Sequence, residues 1–194
     1  MTSTKKQAGQ LRNVATQHFF VELEQQIVKR LHDEATSEQG RVELLRSTGI
    51  HGTELLDEFG KLGITADGVV ALRLLPLVLV AWADGNVSKE EHKAVMDAAL
   101  KMGIVESTTA WILLDQWLAK RPRGVSVDAW RRYIHDVMAQ MSTAAQSRLI
   151  DLTCLQMTQV AKATGGVLGF GSVSKKEQEV IHEVKIAMQL KSVP

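Results

Sequence analysis

Apolar residues recur at three- and four-residue steps along most of the chain, the spacing by which a helix buries one face, and this leaves little room for strands. An all-α fold is therefore expected. The first amphipathic helix should run over residues 7–33, with Phe20, Leu23, Ile27 and Leu31 on one stripe. Short helices over 38–47 and 53–62 should follow, separated by Gly49 and Gly52. Thr65 stands before an apolar run over 66–83 and is placed to cap it, while Pro76 should kink that helix by removing a bond to Leu72. The run reads as a buried central helix.

Further on, the pattern predicts helices over 88–101, over 107–120 with Trp111, Leu114 and Leu118 facing inward, and over 126–141. Pro122 stops the second of these, Gly124 marks a loop, and Ser126 opens the third, whose Trp130, Tyr133, Ile134, Val137, Met138 and Met141 form a wide apolar stripe. Thr143 and Gln146 have capping-box spacing for a helix reaching about residue 163. After a glycine-rich loop the last helix should span 174–190.

Two stretches of this layout repeat each other. Val80-Ala81-Trp82-Ala83-Asp84-Gly85 parallels Val160-Ala161-Lys162-Ala163-Thr164-Gly165, and Val87-Ser88-Lys89-Glu90-Glu91 parallels Val173-Ser174-Lys175-Lys176-Glu177. Both copies read as helix, glycine turn, helix, so two similar hairpins packed about a pseudo-twofold are expected. They differ at one acid, Asp84 against Thr164, and in loop length. The repeat divides the chain into an N-terminal helical extension, residues 1–62, and a helical domain, residues 63–194.

The run Ala81-Trp82-Ala83-Asp84-Gly85-Asn86-Val87-Ser88-Lys89-Glu90-Glu91 resembles the signature turn of TerB-like domains of the tellurite-resistance family. The second copy, and the loop Gly165-Gly166-Val167-Leu168-Gly169-Phe170-Gly171, extend the resemblance to residues 65–190. It implies a compact helical bundle of the cytoplasm, linked to tellurite and other stress resistance, whose acidic residues bind divalent cations. It implies no known reaction. The change to Thr164 departs from the pattern and removes the acid that a symmetric pair of metal sites would need.

Composition narrows the field. Hydrophobic residues at 45% and charged residues at 23% are ordinary globular usage, which argues against a disordered or fibrous chain. A formal net charge of +1, with acids and bases interleaved, gives no field to steer nucleic acid or a membrane surface. A single cysteine, Cys154, excludes an internal disulfide and suits a reducing compartment such as the cytoplasm. The first ten residues carry Lys5 and Lys6 with no apolar run behind them, unlike a secretory signal.

The Asp84 turn is the candidate site. With Asp84 at the fifth position of a calcium loop, Gly85 falls at the sixth and Glu91 at the twelfth. Val80 and Trp82 then occupy the first and third positions, where oxygen ligands are required, so an ordinary EF-hand is excluded. A calcium or magnesium ion would draw on Asp84, Asn86, Ser88 and Glu91, with Glu90 or Glu177 completing a shared site if the hairpins pack together. The competing reading is local: Ser88 with Glu91, and Ser174 with Glu177, are capping boxes that satisfy free N–H groups without any metal.

Other constellations are weaker. The glycine loop has neither the dinucleotide nor the phosphate-loop fingerprint, and it presents Val167, Leu168 and Phe170 for packing, for a partner protein or for a membrane surface. Glu179 and His182 have di-iron spacing without the second copy such a site needs. Cys154 sits mid-helix, a poor setting for a nucleophile. The expected role is thus binding without catalysis, of a divalent cation or a partner protein. The alternative is a metal-free interaction module using the N-terminal helix or the glycine loop.

Overall fold

Among the described residues, seven α-helices follow Ile64. They are α1 (Ala66–Arg73), α2 (Leu75–Ala81), α3 (Lys89–Lys101), α4 (Thr109–Ala119), α5 (Gly124–Ala139), α6 (Thr143–Ala161) and α7 (Lys175–Gln189), with one 3-10 turn, Lys162–Thr164, closing α6. The computed structural model describes residues 33, 37–42, 57, 59–60, 64–164 and 172–189, and no strand occurs among them. The helix expected over 7–33 lies outside the described residues apart from Asp33, as does the loop at 165–171. Of the two short helices that follow it, only 38–42 and Asp57, Phe59 and Gly60 are described, and they are helical.

Thr65 caps α1 as expected, its hydroxyl accepting from the Gly68 N–H at 3.2 Å. Pro76 does more than kink. A ring at that position cannot donate to Leu72 and crowds the preceding turn, so the helix stops at Arg73 and a new one begins at Leu75. Leu74 (φ −93°, ψ 0°) is the joint between them, and Pro76 sits in the first turn of α2, where a missing N–H costs nothing.

Leu75, Pro76, Leu77, Val78, Val80 and Ala81 are all buried, so α2 is apolar around its whole circumference and forms the centre of the bundle. It packs against α1, α3, α4, α6 and α7. Each aliphatic side chain fully buried there stabilises the fold by about 1.5–3 kcal/mol. Phe59, assigned by its sequence position to the N-terminal extension, is fully buried in this same core, its ring 6.3 Å from that of Tyr133. Tyr133 in turn accepts from Arg73 Nε at 2.8 Å, tying α5 to the end of α1.

Three helix starts differ from the expected ones. Thr108, not Ser107, caps α4, and Ser107 takes a positive φ of 74° just before it. Arg123 precedes α5 in extended conformation without any side-chain cap, so the helix starts at Gly124 and Ser126 is buried inside it. Ser142 rather than Thr143 caps α6, accepting from Ala145 N–H at 3.3 Å. Gln146 is thereby freed to donate to the Met138 and Met141 carbonyls at 2.8 and 3.3 Å, stitching α6 to the end of α5. In α4, Leu114 and Leu118 face inward together with Trp117, while Trp111 is half-buried.

Candidate functional site: two capped turns

The first turn closes α2 with Ala83 N–H donating to Val80 and Gly85 N–H donating to Trp82, both at 3.0 Å. Gly85 has φ +96°, a left-handed conformation in which a Cβ would be strained, and this lets the chain reverse towards Ser88. Ser88 then forms a complete capping box. Its hydroxyl accepts from Glu91 N–H at 3.1 Å, and Glu91 Oε2 accepts from both the Ser88 N–H and the Ser88 hydroxyl at 2.8 Å. The second turn repeats the device, with Ser174 Oγ accepting from Glu177 N–H at 3.2 Å and Glu177 Oε2 accepting from Ser174 N–H.

These carboxylates are local caps and more. Glu91 is only 6% exposed and Glu177 only 3%. Burial pushes the Glu91 carboxyl above its usual range; the two hydrogen bonds from Ser88 work against that rise, and the charges of Glu177 and Asp84 add to it. A carboxylate in the first hairpin is thus repelled by one from the second, 86 residues on in sequence numbering. Lys176 supplies the counter-charge: its Nζ lies 3.9 Å from Asp84 Oδ1, bridging the two turns. The start of α7 thus lies against the turn between α2 and α3.

Each site residue has a definite place. Asp84, Glu91 and Glu177 share the junction, and Ser88 is the cap that fixes Glu91. Glu90 is exposed on the first turn of α3, and Asn86 lines a cleft running towards α4. Among the described residues no group of three His, Cys, Asp or Glu side chains is arranged to hold a metal ion. One oxygen of Glu91 and one of Glu177 are already held by backbone N–H groups.

Sequence reasoning missed Lys176. The signal was present, because Lys175 and Lys176 begin a helix, where the dipole disfavours cations. A basic pair there points to acids facing it from elsewhere. The cleft beside Asn86 was missed as well. Its walls include His92, whose Nε2 lies 2.8 Å from Asp115 Oδ1, and Trp82, whose Nε1 donates to the Trp117 carbonyl at 2.8 Å. Both partners lie more than 20 residues away, out of reach of spacing arguments.

The remaining candidates behave as small structural parts. Burial pushes the half-buried Cys154 thiol up, which leaves less of the nucleophilic thiolate. Glu179 and His182 are exposed. His135 donates through Nε2 to the Ala187 carbonyl at 2.9 Å, satisfying a free acceptor in the last turn of α7. No described helix is long and apolar enough to cross a membrane. Compared with family models, curated proteins and solved structures, the chain matches none.

Proposed function

We propose that this chain is a TerB-like protein of the kind tied to tellurite and stress resistance, and that it acts by binding a divalent cation, without catalysis, where its two capped turns meet. The observation that carries this reading is the approach of Lys176 Nζ to within 3.9 Å of Asp84 Oδ1 across two hairpins distant in sequence, with the charges of Glu177 and Asp84 both felt at Glu91. The packing supports it too. α2 lies on α6 and α7 while α3 lies on α6, the set of contacts that exchanging the two hairpins leaves unchanged.

In this reading a calcium or magnesium ion displaces Lys176 as the counter-charge of Asp84. It draws on Asp84 and on carboxylate oxygens of Glu91 and Glu177, with Asn86, Ser88, Glu90 and water filling the six to eight positions that calcium takes. Isothermal titration with calcium, magnesium, manganese and zinc tests it. Saturable binding of at least one ion, weakened about tenfold or more in Asp84→Asn, is the expected result. No saturable heat with any of the four ions ends the reading.

A second reading, a metal-free interaction module, has its own observation: Leu100, Met102 and Val105 stand exposed together around the end of α3. It requires that titration with metal be silent and that Leu100→Asp with Val105→Asp abolish capture of a protein partner without unfolding the chain.

A further inference from the structure

We propose that the cleft between the first turns of α3 and the end of α4 binds a small planar organic anion, of the class of aromatic carboxylates. The cleft is open to solvent and has a volume of about 450 Å³, within the range of pockets that hold small molecules. Trp82, Val87 and Leu118 provide its apolar wall, and Asn86, Lys89 and His92 its polar rim. No acidic side chain lines it directly; Asp115 stands behind its wall, 2.8 Å from His92 Nε2.

Two of these groups are held in place from α4. The indole N–H of Trp82 is committed to the Trp117 carbonyl, so the ring is fixed and offers a ligand its apolar surface. The His92 ring is anchored on Asp115. Side chains immobilised before binding reduce the entropy lost when a ligand arrives, and a flat aromatic group suits a fixed indole. Lys89 and His92 are three residues apart on α3 and share a face. Lys89 is the first residue of that helix, where its ammonium opposes the dipole, and an anion beside it relieves that conflict. A cationic ligand would meet the lysine, and a wholly apolar one would leave the rim's hydration stripped without replacement.

The cleft shares Asn86 and Ser88 with the cation reading, so its test is run with chelator present. The full chain, labelled with nitrogen-15, shows indole N–H signals for Trp82, Trp111, Trp117 and Trp130, with that of Trp82 assigned by its loss in Trp82→Phe. Titration with 1-naphthoate should shift the Trp82 signal saturably. The neutral 1-naphthalenemethanol should bind about tenfold more weakly, the factor expected for one charge-assisted contact. Lys89→Met, at an exposed position, should bring the acid down to the level of the alcohol. No saturable shift of the Trp82 signal, equal binding of acid and alcohol, or unchanged affinity in Lys89→Met would each overturn the proposal.

Discussion

Replacing Glu91 by glutamine and by alanine should have opposite consequences. Alanine removes both halves of the acceptor role, leaving the Ser88 N–H without its partner at a nearly buried helix start. Losing a cap of this kind costs about 1–2 kcal/mol, or ~2–8 °C of melting temperature for a chain of this size. Glutamine keeps an oxygen that accepts from Ser88, removes the charge and turns the other oxygen into an amide donor. The environment as a whole disfavours that charge, because burial and the repulsion from Glu177 and Asp84 outweigh the bonds from Ser88. Glu91→Gln should therefore be as stable as the natural chain or more stable at neutral pH.

The same imbalance sets a pH dependence. With its carboxyl raised above the ordinary value of 4.5, Glu91 holds a proton more tightly in the folded chain than in the unfolded one. Its contribution to stability therefore improves as pH falls through the folded-state value and levels off below the ordinary one. The advantage of Glu91→Gln over the natural chain should shrink over that window. Urea denaturation followed by circular dichroism, with chelator present, at neutral pH and near 4.5, measures it. If the glutamine variant loses as much stability as the alanine variant at neutral pH, the charge itself is stabilising and the argument from burial and repulsion is wrong.

Phe59→Ala should cost about 3–5 kcal/mol in urea denaturation, the usual penalty for emptying a buried aromatic site, and a loss below ~1 kcal/mol would place this residue outside the core. Gly85→Ala has open space around the new Cβ but a φ of +96°, so only the backbone suffers; the loss should be about 1 kcal/mol, and the thermal melt should show it without any change in helicity. Lys176→Met removes the tethered cation beside Asp84 and should raise divalent-ion affinity severalfold in titration calorimetry, whereas lower affinity would mean that the lysine does not compete for the site.

Much of the fold was legible because its signals are local. Thr65, Ser88 and Ser174 stand directly before apolar-periodic runs, and the caps they form need only the next three residues. The starts of α5 and α6 were less legible for equally local reasons. Arg123 offers no capping oxygen, so the nearest hydroxyl, Ser126, looked like the start. Ser142 and Thr143 are adjacent hydroxyls of which only one takes the extended conformation that a cap requires. The break at Leu74 follows from Pro76, yet whether a proline bends a helix or divides it depends on what packs around it.

The candidate site was legible only through the repeat. Likeness between two turns suggested that they meet, and the Asp84 to Lys176 bridge with the Glu91 to Glu177 repulsion is that meeting. Burial of the two glutamates was not readable, since capping boxes commonly stand in solvent. Nor was the cleft beside Trp82, which exists because α4 brings the Trp117 carbonyl to the residue just after α2 and Asp115 to His92 on α3.

Paramagnetic broadening by manganese tests the cation junction most directly, because the ion reports its own position through the backbone amide signals around it. Substoichiometric manganese should broaden Gly85, Glu91 and Glu177 together, and excess magnesium should restore them. Broadening confined to solvent-facing acids such as Glu106 and Asp128, with both turns left sharp, would contradict a divalent-cation site between the hairpins.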